Sequence, residues 1–382
     1  MPAAPSFAWL PTGAAGLRAM LAAIGGARRS VGLEAYIVGN DATGRAFRDA
    51  LASAAGRGVR VRLLVDAWGS LELPDNFLEP ARAAGVDVRW FNPLTLHRGL
   101  HRDHRKLLVV DDELALLGGF NFADSYDGDG VRRGWRDLGL ELRGPAVAEL
   151  GRAFHAQFGL ASHQHRRLER FRRHLRPQRH AVPGATLYLL SPGRGRSPLQ
   201  ADLANDLKRS RDIQLATAYL LPPLWLRREL TGSARRGARV QIVVPGRSDV
   251  PMARLAARAL YARLMRSGIE VHEYQPAVLH TKLYVTDRAA YAGSANLDIR
   301  SLNINYELAV RLDDPRAVAG ARVLFADHLA HSRRIDPATW PARGWWEKVR
   351  ERLALWFLGR MDPLVSAHQR RRLFRDLDKA VR

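Results

Sequence analysis

The chain of 382 residues contains no cysteine, which excludes disulfide cross-links, thiol nucleophiles and thiolate metal sites. Acidic residues are few beside basic ones: 38 Asp plus Glu face 60 Lys plus Arg, a formal charge of +22. Such an excess calls for a polyanionic partner, either a nucleic acid or an anionic bilayer surface. Lysine is itself rare, with only Lys106, Lys208, Lys282, Lys348 and Lys379 among the 60 cations. Arginine fills most positions where any positive charge serves, so a lysine marks a place where a compact point charge is wanted. Long apolar runs are also missing. No window supplies the roughly 20 residues that span a bilayer. The start Met1-Pro2-Ala3-Ala4-Pro5 lacks a basic region followed by an apolar core, so no cleavable signal is expected either.

What is present is a repeated polar constellation. His104, Lys106 and Asp111 are followed by Gly118-Gly119-Phe120-Asn121, and His280, Lys282 and Asp287 by Gly293-Ser294-Ala295-Asn296. The stretches after each lysine are short, apolar and rich in branched residues, the pattern of buried strands. At period 2, His104 and Lys106 project together, as do His280 and Lys282, whereas Asp111 and Asp287 have the opposite parity. Those two aspartates are therefore expected to act structurally at the strand end. A histidine and a lysine on one face, with an asparagine returning from the next strand, suit a phosphodiester: lysine supplies charge, the amide donates hydrogen bonds, and imidazole attacks phosphorus or moves a proton. The two copies differ in one respect. Six residues separate Asp111 from Gly118 and five separate Asp287 from Gly293, which predicts different hairpin turns.

The pattern H-x-K-x4-D followed by G-[GS]-x-N, twice in one chain, resembles the phospholipase D superfamily. Trp135-Arg136-Asp137 before Gly144-Pro145, the run Asn296-Leu297-Asp298-Ile299-Arg300-Ser301-Leu302, and Asn305-Tyr306-Glu307 resemble the bacterial cardiolipin synthases, in particular the shorter forms without amino-terminal membrane spans. The likeness covers roughly residues 8 to 335. It implies an α/β fold of two pseudo-symmetric phospholipase D-type domains, each a mixed β-sheet flanked by helices, facing one another. It also implies a phosphatidyltransferase at the cytoplasmic face of the bacterial cell membrane, bound peripherally.

The rest of the chain repeats as well. Arg57-Gly58-Val59-Arg60-Val61 is answered by Arg236-Gly237-Ala238-Arg239-Val240, and Gly85-Val86-Asp87-Val88 by Gly268-Ile269-Glu270-Val271. Strand and helix alternate throughout. The expected organisation is a first half over residues 1–162, a basic linker over 163–183, a second half over 184–336, and an amphipathic, basic tail over 337–382. The linker is dense in arginine (Arg166, Arg167, Arg170, Arg172, Arg173, Arg176, Arg179), and Pro183-Gly184 is taken as its boundary. In the tail, Trp345, Trp346, Val349, Leu353, Trp356 and Phe357 share one helical face, with Glu347, Lys348, Arg350, Glu351 and Arg352 largely opposite. Such a helix either lies in a lipid headgroup layer or docks on the core; the basic ending Arg370-Arg371-Arg372 favours the membrane.

The candidate catalytic set is His104, Lys106, Asp111, His280, Lys282 and Asp287, the aspartates entering as motif members. Asn121, Asn296 and Ser294 are candidate phosphate ligands. Each imidazole needs an acceptor on its second nitrogen, and Asp137 and Glu307 head the following apolar strands, 33 residues after His104 and 27 after His280. The resemblance supports both as the orienting carboxylates and His104 as the nucleophile, while the pseudo-symmetry of the two motifs leaves His280 as the alternative. No metal or other cofactor is called for, because neither thiols nor clustered carboxylates are available to hold one. The segment Ser125 to Gly134 is expected to cover the site and favour an alcohol over water. Three functions compete: cardiolipin synthesis from phosphatidylglycerol, with or without phosphatidylethanolamine; phosphodiester hydrolysis of nucleic acid or another substrate; and non-catalytic binding. The tail and the Trp135 segment favour lipid, so phospholipids and an anionic membrane surface are the expected partners. Nucleic acid is disfavoured, and no oligomeric state is indicated.

Overall fold

A computed structural model describes residues 6–92, 101–161, 177–192 and 196–359. The arginines from Arg166 to Arg176 and the ending Arg370-Arg371-Arg372 lie outside them.

Seven apolar stretches of the first half pair into one mixed sheet. They are β1 (Ser6–Leu10), β2 (Ser30–Ala35), β3 (Arg60–Asp66), β4 (Asp87–Phe91), β5 (Leu107–Val110), β6 (Leu114–Gly118) and β7 (Gly139–Arg143). Their order is β1-β7-β6-β5-β2-β3-β4, with β2, β3 and β4 parallel and the remainder antiparallel. The second half contributes β8 (Gln178–Val182), β9 (Ala185–Leu190), β10 (Asp212–Ala216), β11 (Leu220–Leu221), β12 (Arg239–Arg247), β13 (Glu270–Val278), β14 (Leu283–Val285), β15 (Ala290–Gly293), β16 (Leu297–Asp298), β17 (Glu307–Leu312) and β18 (Ser332–Arg334). Nine of these form a sheet ordered β18-β13-β12-β10-β14-β15-β17-β9-β8, and β11 pairs with β16. Read from the opposite end, its inner seven strands repeat the order of the first sheet.

The structure departs from the sequence reading in two places. Residues 178–182, assigned above to the linker, form β8, which pairs with β9 in antiparallel register. Pro183-Gly184 is therefore the turn of a hairpin, Gly184 supplying the positive φ of 76° that such a tight reversal needs. The tail is likewise not separate from the second half: Trp340 is buried in its core against Tyr261.

Alternation at period 2 splits each central strand between two cores. Leu108 and Val110 of β5 enter a cluster confined to the first half, beneath the helices Gly13–Gly26 and Ala42–Gly56, while Leu107 and Val109 enter a second cluster. That second cluster also contains Leu187, Leu308 and Val310 of the other sheet, together with Leu150 and Phe154 of the helix Pro145–Ala161. The two halves are thus joined by buried apolar surface, not by a linker alone. Two backbone bridges cross the same interface. Asp103 pairs with Tyr306 and Arg136 with Leu279, each in parallel, so that the His104 amide donates to the Tyr306 carbonyl (2.9 Å) and the His280 amide to the Arg136 carbonyl (2.7 Å).

Candidate active site

Each motif histidine sits one residue beyond such a bridge, and this determines its partner. His104 Nδ1 lies 3.0 Å from Glu307 Oε2, and His280 Nδ1 lies 2.7 Å from Asp137 Oδ2. Both carboxylates are fully buried. The pairing is crossed: the carboxylate following each histidine in sequence orients the histidine of the other half. A carboxylate accepts, so Nδ1 carries the proton in both rings and Nε2 is left as the working nitrogen.

The two lysines are only 1% exposed. Lys106 Nζ donates to the His104 carbonyl and Lys282 Nζ to the His280 carbonyl, each at 2.6 Å. Lys282 Nζ also stands against the His280 ring, 2.7 Å from Nδ1 and 3.1 Å from Nε2. Lys106 stands 4.7 Å from the centre of the Tyr36 ring, whose edge meets His104 at 4.6 Å. Around His280 the corresponding walls are Tyr126 at 5.2 Å and Trp135 at 5.8 Å. Two ammonium groups and two carboxylates share this buried cluster, so it is close to neutral when both imidazoles are uncharged.

The electrostatics favour that state. Burial, then the charges of Lys106 and Lys282, hold His104 well below the usual imidazole range. Burial and Lys282 depress His280, against the opposing pull of Asp137. Burial brings Lys106 down to about 7 and raises Glu307 to about 7, each moderated by the charge of the other. A neutral His104 with its proton on Nδ1 presents a lone pair at Nε2, the requirement for attack on phosphorus.

The remaining candidates divide. Asn121 and Asn296 are buried, and the Oδ1 of each lacks a hydrogen-bond partner. Asn121 Nδ2 bonds Tyr126 Oη at 2.7 Å; turning the amide to place Oδ1 on that hydroxyl satisfies both groups and frees Nδ2 as a donor. Ser294 is a correction. Its hydroxyl donates to Glu307 Oε2 and accepts from the Leu308 amide, so it steadies the carboxylate and is not a phosphate ligand. Asp111 and Asp287 are the second correction to the catalytic set, and here strand parity was the better guide. Asp111 accepts from the amides of Arg28 (2.9 Å), Arg29 (2.7 Å) and Ser30 (2.7 Å). Asp287 accepts from the Arg211 amide (2.6 Å) and from Arg322 Nη2 (3.1 Å). Each ties a hairpin turn to the start of the neighbouring strand, at the end of the sheet away from the histidines. Asp111 and Asp112 adopt positive φ of 55° and 58° in the longer first turn, whereas in the second Thr286 pairs back to the Ala289 carbonyl at 2.9 Å. The one-residue difference is absorbed there.

A sequence family described as "Cardiolipin synthase, PLD-like domain" matches residues 20–129 and 203–329. The chain is 31% identical over 365 residues to cardiolipin synthase B of Shigella flexneri, covering 91% of this chain and 86% of that protein. It is 30% identical over 336 residues to the probable cardiolipin synthase YwiE of Bacillus subtilis, covering 86% and 66%. The chain belongs to the cardiolipin synthase family of phospholipase D-like proteins. Among solved structures, it superposes on phosphatidylserine synthase of Haemophilus influenzae Rd KW20 with a TM-score of 0.71 at 16% identity, covering 94% of each chain. At that identity the likeness speaks for the fold. The two large sheets of this family member are mixed and flanked by helices.

Several residues near the histidines of this cardiolipin synthase family member escaped the sequence reading: Tyr36, Arg102, Tyr126, Tyr219 and Asp249. Three of them lie just past the carboxyl ends of strands, Tyr36 after β2, Tyr219 after β10 and Asp249 after β12, where α/β sheets gather their ligand groups. Aligning the two repeats and inspecting the residues just beyond each parallel strand would have found them. The segment 125–134 is fastened on both sides. Trp135 N bonds the Ser125 carbonyl (2.7 Å), Arg136 Nη1 the Asp129 carbonyl (2.8 Å), and Tyr274 Oη of the second half the Gly130 carbonyl (2.7 Å). Among the described residues, no helix is long and apolar enough to cross a membrane. The C-terminal helix, described over 345–359, docks through Glu351, Ala354 and Leu355, while Glu347, Arg350 and Arg352 remain exposed. Glu351 is buried between Arg258 Nε (3.0 Å) and Arg343 Nη2 (3.1 Å), while Trp345, Trp346, Leu353 and Phe357 face outward.

Proposed function

We propose that this protein transfers a phosphatidyl group from one phospholipid to a hydroxyl of phosphatidylglycerol, through a phosphatidyl-histidine intermediate. Membership of the cardiolipin synthase family makes it a phosphatidyltransferase. The observation that supports the finer reading is the pair of crossed carboxylate–imidazole contacts, together with the action of Lys106, Lys282 and His280 on His104, which fits two imidazoles and two buried lysines serving one phosphodiester. His104 Nε2 attacks phosphorus and the bond to the headgroup oxygen breaks; His280, taken to the imidazolium by a proton from Lys282, whose Nζ lies 3.1 Å from its Nε2, as the phosphodiester anion binds, gives that oxygen the proton from Nε2. A hydroxyl of the second lipid then loses its proton to His280 and attacks phosphorus, and the phosphorus–nitrogen bond breaks. Lys106 and Lys282 hold the equatorial oxygens as charge builds, with Asn121 and Asn296 as further donors. Glu307 and Asp137 keep each ring in the required tautomer and balance its positive charge.

The lipid surface itself is part of this proposal. Trp345 and Trp346 are each 62% exposed and Leu353 60%, on a helix whose opposite face is clamped by Glu351. Aromatic and aliphatic side chains presented together on a basic protein fit an anionic headgroup layer.

The test is incubation of the protein with radiolabelled phosphatidylglycerol in vesicles, beside a parallel digestion of DNA. Labelled cardiolipin, absent with His104→Ala, together with acid-labile label on the wild-type protein that His104→Ala also abolishes, supports the reading. Cleaved DNA with inert lipid would replace transfer by hydrolysis of nucleic acid.

A further inference from the structure

The two histidines occupy one cluster, yet their flanks carry opposite charge. On the His104 side, Arg102 Nη1 donates to Tyr36 Oη at 3.0 Å and the guanidinium stands 5.7 Å from the Trp68 ring. Arg102 acts electrostatically on His104, and on Tyr36 Arg102 and then Arg300 outnumber the single opposing carboxylate of buried Asp66. On the His280 side the corresponding charge is negative. Tyr219 Oη donates to Asp249 Oδ2 at 2.6 Å, and Ser248 Oγ lies 3.3 Å from Oδ1. The field of Asp249 reaches His280, Lys282 and Tyr126. Asp249 is exposed, in the loop between β12 and the helix Pro251–Met265. Leu283, next to Lys282, pairs with Ala216 at the carboxyl end of β10, and β12 runs parallel to β10, so Tyr219 and Asp249, just past those two strand ends, stand at the same end of the sheet as His280, with Tyr219 holding the carboxylate.

In an in-line displacement the attacking nitrogen and the departing oxygen lie on opposite sides of phosphorus. With His104 attacking, the headgroup leaves toward His280, and the accepting alcohol later enters by the same route. We propose that Asp249, held by Tyr219, is the specificity residue for that alcohol, selecting headgroups that offer hydroxyl or ammonium donors, glycerol or ethanolamine, against one that carries a carboxylate, serine. The inference rests on the phosphatidyl-transfer reading and deepens it. A carboxylate accepts hydrogen bonds from hydroxyl and ammonium groups and repels a second carboxylate at close range. The cationic flank around Arg102 leaves the phosphate and the diacylglycerol on the other side.

The experiment compares wild type, Asp249→Asn and Tyr219→Phe for release of headgroup from phosphatidylglycerol, phosphatidylethanolamine and phosphatidylserine in mixed vesicles. The wild type is expected to use the first two and to discriminate against the third. Losing a charge-assisted contact is worth about tenfold or more, so Asp249→Asn should lower kcat/KM for phosphatidylethanolamine at least tenfold relative to phosphatidylserine, phosphatidylglycerol falling less. Tyr219→Phe should shift the ratio in the same direction by a smaller factor. If Asp249→Asn changes all three donors by one common factor, or leaves their ratio unaltered, Asp249 supports His280 only and the specificity role is overturned. If wild type releases none of the headgroups, the transfer reading itself falls, and this assignment with it.

Discussion

Replacing Glu307 by glutamine separates catalysis from stability, because the structure predicts that the two move in opposite directions. Glu307 is completely buried, and its oxygens accept from His104 Nδ1, Ser294 Oγ and Asn305 Nδ2 (3.3 Å). Glutamine has the same shape and keeps an acceptor at the Oε2 position. Its amide group then meets Asn305, whose Oδ1 has no partner and becomes the acceptor once that side chain turns over. The variant therefore folds without a stranded donor. Burial raises the native carboxyl from 4.5 to about 7. A carboxyl whose folded value lies above its unfolded one binds protons more tightly in the native state; its contribution is fully present below pH 4.5 and is lost as the pH rises to about 7. The ionised side chain thus destabilises the fold at pH 8 by about 3 kcal/mol, a penalty that glutamine does not carry. In the variant Lys106, already brought down to about 7 by burial, also loses the pull of Glu307 that held it up, so without bound phosphate it is neutral at this pH and is not left charged opposite an amide. Urea unfolding should show Glu307→Gln more stable than wild type at pH 8, the difference shrinking toward zero near pH 4.5. Catalysis should suffer, since the phosphorylated imidazole loses its counter-charge: a charge-assisted bond of about 2 to 3 kcal/mol corresponds to a fall in kcat of roughly 100-fold. A variant that is less stable at pH 8, or equally active, would refute this account of His104.

The same geometry leads to three further outcomes. Asp111→Ala and Asp287→Ala remove caps on backbone amides and should each lower stability by about 1 to 3 kcal/mol with kcat unchanged within a factor of two or so; a large loss of kcat in a folded variant would restore them to the chemistry. Gly119→Ala places a methyl group 2.5 Å from Asp137 Oδ1, so it should push that carboxylate off His280 and lower kcat more than tenfold, read against an unaltered unfolding midpoint. Trp345→Ala with Trp346→Ala should reduce co-sedimentation with phosphatidylglycerol vesicles while leaving turnover of a short-chain, micellar substrate intact; undiminished sedimentation would remove the helix from membrane binding.

The parts of this molecule that were legible in its sequence are those that local periodicity controls. Period 2 separated His104 and Lys106 from Asp111, and the structure puts Asp111 on the amides of Arg28, Arg29 and Ser30. The repeated strand-helix pattern implied two like halves, and the strand orders match from opposite ends. What periodicity does not encode is a partner across an interface. Distance along the chain associated Asp137 with His104 and Glu307 with His280, but the bridges at Arg136 and Tyr306 carry each carboxylate to the other half. The C-terminal helix shows the same limit. Its aromatic face was readable, but the stripe that turns inward is Glu351 with Ala354 and Leu355, fixed by Glu351 meeting Arg258 and Arg343, residues distant or unremarkable in sequence. Tyr219 answers Tyr36, in Ala218-Tyr219-Leu220 against Ala35-Tyr36-Ile37, and becomes visible only once the repeats are aligned beyond the histidine motifs.

The small difference between the two motifs, Gly118-Gly119 against Gly293-Ser294, is a consequence of the crossed arrangement. Gly118 and Gly293 end equivalent strands, opposite Gly139 and Ala309 respectively, so Gly119 stands to Asp137 as Ser294 stands to Glu307. Asp137 is the shorter acid. It lies so close to Gly119 that no Cβ fits there, and its second oxygen is satisfied by its neighbour's amide, Leu138 N at 2.8 Å. Glu307 is longer by one methylene and extends past its own backbone, so its oxygen needs another donor, which Ser294 supplies. Glycine with aspartate, and serine with glutamate, are therefore two solutions to one requirement: a buried carboxylate fixed in front of an imidazole from the opposite half. Exchanging only one member of either pair should misplace the carboxylate, whereas exchanging both, as Gly119→Ser with Asp137→Glu, should recover His280 function that Gly119→Ser alone destroys. If the double variant is as inactive as the single one, the coupling between motif and acid is wrong, even though the crossed contacts themselves stand.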